Sequence, residues 1–158
     1  MDIHPDDLTH PDVQALLAAH VADMYRISPP GSVHVLDLDG LRQPGVSFWS
    51  LWIDGALAGC GALKELDPTH GELKSMRTAE AFRGHGVGKA MLTYLLAEAQ
   101  RRGYTRVSLE TGSQPFFAPA WALYRSAGFT DGPPFDHYVD DPHSVFMTKE
   151  LGAHSGGV

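Results

Sequence analysis

Three glycines in five residues, Gly84, Gly86 and Gly88, follow Arg83 and stand directly before a stretch in which Met91, Leu92, Leu95, Leu96 and Ala99 recur at helical spacing. Residues 71–78 before the loop read as a strand. After it come a helix over 87–102, closed by Gly103, and a second strand over 106–110. Strand, loop, helix and strand make a βαβ unit, which places its two strands parallel and adjacent. The first turn of the helix carries amides with no intrahelical acceptor and the positive end of the helix dipole. Glycines let that backbone approach an anion closely, and Arg83 adds a fork-shaped cation, so the loop reads as a grip for a phosphate or diphosphate.

Two other phosphate loops do not fit. The nucleotide-triphosphate loop needs glycine where Arg83 stands and serine or threonine at Ala90, although Gly88-Lys89 match it. The dinucleotide pattern started from Gly84 needs glycine at Lys89.

The elements around this unit are legible in outline. A short strand is expected near Ile3, then an amphipathic helix over 11–26 with Val13, Leu16, Leu17, His20, Val21 and Met24 in register and Thr9 as its cap. Ser28-Pro29-Pro30-Gly31-Ser32 breaks that helix into a loop with some freedom. Residues 46–53 and 56–66 form a hairpin about Asp54-Gly55. A short helix over 119–127 is closed by Gly128, and 129–130 and 144–150 are closing strands. One domain over 1–151 and a frayed tail over 152–158 are expected.

Bulk properties exclude several classes. A formal charge of −7 argues against wrapping nucleic acid, which needs clustered Lys and Arg. No stretch approaches the ~18 apolar residues of a membrane span. The acidic start lacks the marks of an export signal, and the lone Cys60 gives no sign of an oxidising compartment, so a cytoplasmic protein is expected. The nine histidines include no tight ligand motif, and no metal is expected. Asp136, Asp140 and Asp141 beside His137 and His143 read as a solvated acidic loop, though such a cluster can recognise a cationic amine.

Arg83-Gly84-His85-Gly86-Val87-Gly88 matches the R-x-x-G-x-G/A signature of the GCN5-related N-acetyltransferases (GNAT). Ala120-Trp121-Ala122-Leu123-Tyr124-Arg125-Ser126-Ala127-Gly128-Phe129 is similar to that family's A-x-x-L-Y-x-x-x-G-F segment, in the right order. The resemblance runs from the hairpin near Val46 to Leu151, and the first forty-five residues align loosely. It implies an α/β fold of the GNAT type. That fold is a twisted mixed sheet of roughly six to seven strands, splayed between the fourth and fifth and flanked by about four helices, with acetyl-CoA in the gap. It further implies that backbone groups of Met76, Arg77 and Thr78 pair with the pantetheine arm, and that Arg83, Gly84, His85, Gly86, Val87, Gly88 and Lys89 hold the diphosphate. Many relatives carry asparagine seven residues before the tyrosine to hold the pantetheine chain, whereas this chain has Phe117, in the same cofactor-binding position. A homodimer is implied by the resemblance alone.

The expected reaction is acetyl transfer to a primary amine of a small or amino-acid-like molecule by direct attack on the thioester, because nothing near Cys60 suggests an acyl-enzyme. A backbone N–H, that of Met76, stabilises the developing oxyanion. By resemblance Tyr124 is the general acid for the leaving thiolate; the bland reading is a core tyrosine. Glu72 and Glu110, on the two strands beside the gap, are candidate bases, and Lys74 is an evident salt-bridge partner for Glu72 on the same strand face. Met24, Ser32, His34, Phe117 and Tyr138 are candidate substrate contacts. Two alternatives stay open: an acyl-CoA-binding regulatory domain, and an acetyltransferase of proteins or peptides.

Overall fold

The computed structural model describes residues 1–152, so from position 153 onward the expected tail lies outside the described residues. Among the described residues seven strands form one sheet, and four α-helices pack on its faces. In chain order the elements are β1 (Asp2–Pro5), α1 (Pro11–Ile27), α2 (Leu38–Leu41), β2 (Val46–Ile53), β3 (Ala56–Asp67), β4 (His70–Thr78), α3 (Val87–Arg101), β5 (Arg106–Gly112), α4 (Ala118–Ser126), β6 (Thr130–Asp131) and β7 (Ser144–Glu150). The sheet order is β1-β2-β3-β4-β5-β7-β6, antiparallel throughout except for β4 against β5.

The β2–β3 hairpin turns at Asp54 and Gly55, both at positive φ (49° and 80°), the backbone of a two-residue turn matched to strand twist. Apolar residues divide between two faces. Val87, Met91, Leu92, Leu95 and Ala99 of α3 pack on one face with Leu63, Leu73, Leu109 and Tyr124. Val13 and Leu17 of α1 pack on the other with Leu41, Phe48 and Ala62. Close seating of α3 depends on Gly61, where a Cβ would stand 2.8–2.9 Å from Met76, Leu95 and Met91 side-chain atoms.

Thr9 does not cap α1. Its hydroxyl is taken by Asp7 at 2.6 Å, and His10 caps instead, accepting from the Asp12 amide at 3.0 Å. The short α2, capped by Asp37, interrupts what the sequence suggests is plain loop.

The functional geometry begins where β4 and β5 part. They pair only at His70↔Arg106, Gly71↔Val107 and Glu72↔Ser108, after which β5 continues with β7 alone. A hydrogen-bond chain pins the parting point: His70 Nε2 to Ser108 Oγ at 2.7 Å, and Ser108 Oγ to Thr148 Oγ1 at 2.7 Å. Beyond it β4 is bulged. Cys60 pairs with Arg77 and Ala62 with Lys74, so the single residue Gly61 faces Ser75 and Met76, and Ser75 takes φ 54° to absorb the extra residue. The splay expected between the fourth and fifth strands is therefore present, and the backbone edge of residues 73–78 faces the gap rather than a strand.

Candidate active site

The gap opens into a cavity of about 720 Å³. On one side it is lined by the α3 loop and α4, and on the other by α1 and the segment from Ser28 to Val35.

On the α3 side, Gly84 and Gly86 have φ of 81° and 77°, a region side chains other than glycine's enter at a cost, and Gly86 is the N-cap residue of α3 with no side-chain cap. The first intrahelical bond runs from the Ala90 amide to the Gly86 carbonyl at 3.0 Å, leaving the amides of Val87, Gly88 and Lys89 without an intrahelical acceptor. Arg83, Gly84, Gly86, Val87, Gly88 and Lys89 all line the cavity, as do Met76, Arg77 and Thr78 on the free edge of β4. His85 does not: its amide donates to the Phe82 carbonyl at 3.2 Å and its ring packs edge-on to Phe82, outward. This set of free amides, a guanidinium and an unpaired strand edge fits a diphosphate followed by an amide-bearing arm.

At the far wall, the Trp121 indole donates to the Gly112 carbonyl at 2.9 Å, fixing α4 against the end of β5. Phe117 packs against Gly112, where a Cβ would come within 2.1 Å of the ring. Phe117 and Gly112 thus form a steric pair where the resemblance expects an amide side chain. Tyr124 projects from α4 into the cavity wall, 7% exposed, with Phe129 edge-on at 5.7 Å. Burial pushes its hydroxyl above the ordinary range, so it is a phenol and not a phenolate at neutral pH.

The two glutamates have different surroundings. Glu110 lines the cavity, and burial pushes its carboxyl up to about 7, against the opposing pull of the Ser144 hydroxyl and the Lys74 charge. Glu72 is 1% exposed and does not line the cavity. Its Oε2 accepts from the Tyr138 hydroxyl at 2.6 Å and from Lys74 Nζ at 3.3 Å. The salt bridge foreseen from strand spacing is thus present. Lys74 also donates to the Tyr138 oxygen at 3.0 Å and to the His34 carbonyl at 3.1 Å, spending its three protons within the protein.

Of the expected substrate contacts, Met24, Ser32, His34 and Phe117 line the cavity; Tyr138 stands behind it in the Glu72 cluster, with His34 edge-on to its ring at 5.0 Å. The acidic loop is not wholly solvated, because Asp141 accepts from the Ser32 hydroxyl at 2.5 Å. His20, Ser75 and the side chain of Arg77, to which no motif assigns a role, belong to residues that also line the cavity. His20 falls in the apolar register of its helix and so reads there as a packing residue, and Ser75 matters because of a bulge that residue types do not announce. Among the described residues no group of three or more His, Cys, Asp or Glu side chains is arranged to hold a metal, and no helix is long and apolar enough to cross a membrane.

Comparison with known proteins agrees with this geometry. The sequence pattern of the Acetyltransferase (GNAT) family matches residues 13–129. The N-acetyltransferase YsnE of Bacillus subtilis, itself uncharacterised, is 52% identical over 151 residues, covering 96% of this chain and 100% of its own. An IAA acetyltransferase of Azospirillum brasilense is 37% identical over 136 residues, covering 85% of this chain and 86% of its own. The crystal structure of a putative acyl-CoA N-acyltransferase from Klebsiella pneumoniae superposes with a TM-score of 0.79 at 29% identity, covering 95% of this chain and 97% of that one. The family pattern spans most of the chain and relatives of this name align along nearly all of it, so the chain belongs to the GNAT family of acetyl-CoA-dependent N-acyltransferases.

Proposed function

We propose that the protein transfers the acetyl group of acetyl-CoA to a primary amine of a small or amino-acid-like molecule, by direct attack with both substrates bound. The observation that carries the small-acceptor reading is a strap over the acceptor side of the cavity. Lys74 holds the His34 carbonyl at 3.1 Å and Asp141 holds the Ser32 hydroxyl at 2.5 Å, so the loop from Ser28 to Val35 is tied to β4 and to the segment before β7. A tied loop roofs the amine side, whereas a peptide acceptor requires an open groove there.

Acetyl-CoA supplies the thioester; the chain's own groups supply position and protons. The amides of Val87, Gly88 and Lys89, with Arg83, hold the diphosphate, and the free edge of Met76, Arg77 and Thr78 aligns the pantetheine arm. The bulge at Ser75 aims the Met76 N–H at the thioester oxygen, where negative charge develops as the amine attacks. Glu110, poised to titrate near neutrality, takes the proton that the amine nitrogen must lose as the new C–N bond forms. Tyr124 gives its proton to the sulfur as the C–S bond breaks. Glu72, held by Tyr138 and Lys74, keeps Lys74 fixed between the two strand ends and so positions the strap.

The test is release of free CoA across a panel of amines, amino acids and peptides. Turnover of small amines with peptides inert is expected. Turnover of peptides alone contradicts the small-acceptor reading, and turnover of nothing by protein that binds CoA favours a regulatory binding domain.

A further inference from the structure

Where α1 passes the bulged end of β4, three buried polar atoms have no hydrogen-bond partner: Nδ1 of His20, Oγ of Ser75 and Nε of Arg77. All three residues line the cavity described above. Buried donors of this kind are normally satisfied, and a group of them beside a cavity suits a ligand that brings acceptors.

Their chemistry specifies the acceptor. Arg77 Nη1 is gripped by Asp23 of α1 at 2.8 Å, and Asp23 is tied in turn to Arg26 at 3.2 Å. This pair fixes the guanidinium plane and leaves the edge carrying Nε unspent, and an arginine nitrogen can only donate. A serine hydroxyl rotates to donate, and a neutral imidazole donates from Nδ1 in one tautomer. Burial and the Arg77 charge hold His20 far below its ordinary value, at about 4, so its ring is neutral and brings no second charge. An arginine edge flanked by two neutral donors suits a carboxylate, whose oxygens accept several hydrogen bonds at once. An ammonium group brings no acceptor for these donors.

Position tells this anion apart from the CoA diphosphate. Ser75 and Arg77 flank Met76, whose N–H faces the reacting carbonyl in the proposal above, and Arg77 turns toward α1 rather than toward the glycine loop. The anion therefore belongs to the acceptor. We propose that His20, Ser75 and Arg77 form a carboxylate subsite, so that the acceptor is an amino acid or another small amine with a carboxylate a few bonds from its nitrogen. This inference rests on the small-amine reading and narrows it.

The experiment compares free amino acids with their carboxamides and with the amines that lack the carboxyl carbon, by CoA release, in wild type, Arg77→Lys and Ser75→Ala. Lysine keeps a cation beside Asp23 but lacks the Nε–H edge, and binding of CoA by calorimetry checks that each variant is folded. In the wild type kcat/KM for the carboxylate exceeds that for its amide by about 10- to 100-fold, the value of one or two charge-assisted hydrogen bonds. In Arg77→Lys that ratio collapses through a raised KM for the acid, and Ser75→Ala lowers it in part. Amides and simple amines turned over as well as acids by the wild type, or a preference for acids left intact by both substitutions, overturns the subsite while leaving the small-amine reading standing. If no small amine of any kind is turned over, both fall together.

Discussion

The Tyr138 hydroxyl donates a 2.6 Å hydrogen bond to a Glu72 carboxylate that is 1% exposed, and Lys74 bonds both groups. This knot lies at the last residue pair joining β4 to β5. Removing the hydroxyl in Tyr138→Phe leaves a buried carboxylate short of a donor, which costs about 1–3 kcal/mol. Denaturant unfolding should show that loss, and a variant as stable as wild type would show the bond to be incidental.

Glu110 gives a pH signature. Its folded carboxyl titrates at about 7, above an ordinary glutamate at ~4.3, so the base is absent below neutrality and present above it. The rate should rise with pH through a limb near 7, separate from that of the amine itself. Glu110→Gln should remove the limb and lower kcat roughly a hundredfold or more. Stability runs in the opposite sense. The folded state holds this proton more tightly than the unfolded one, so the carboxyl destabilises increasingly from about pH 4.3 to about 7 and then levels. The glutamine variant should lose that slope, as urea titrations at several pH values will show.

Tyr124→Phe keeps the ring in its place against Phe129 and removes only the proton donor. Turnover should fall substantially while the acetyl-CoA dissociation constant stays within about twofold, a loss felt in the transition state and not in binding. Wild-type turnover in this variant removes Tyr124 from the mechanism.

Arg83→Ala should weaken CoA binding by roughly tenfold, as expected for one charge-assisted hydrogen bond to phosphate, and make it less sensitive to salt. Calorimetry at two ionic strengths measures both effects, and unchanged affinity would place the diphosphate elsewhere.

Cys60 bears on the order of events. Although Cys60 is part of the cavity wall, its thiol donates to the Ser75 carbonyl at 3.2 Å and is pushed up to about 12 by burial, so it is a thiol and not a nucleophilic thiolate. Cys60→Ala should retain activity, and initial rates should show intersecting rather than parallel lines. Parallel lines would indicate an acyl-enzyme.

Local chemistry explains what the sequence revealed. Gly84, Gly86 and Gly88 are visible because left-handed backbone and close approach demand glycine, and the α3 stripe because burial repeats with the helical period. The Glu72–Lys74 pair follows from strand alternation alone. The unlike settings of Glu72 and Glu110 were hidden, since both are strand glutamates. Tyr138 reaches Glu72 across 66 positions and leaves Glu110 as the carboxyl on the cavity. The Ser75 bulge was hidden too, because the extra residue on β4 shows only in its register against β3, with Ser75 and Met76 opposite the single Gly61. Phe117 looked like a missing contact until Gly112, a glycine on another element, proved to accommodate its ring.

A crystal structure with acetyl-CoA bound tests the central claim directly. The account predicts the diphosphate on the amides of Val87, Gly88 and Lys89, and the thioester oxygen about 3 Å from the Met76 nitrogen. A diphosphate bound away from the start of α3, or a thioester remote from the β4 bulge, would contradict it.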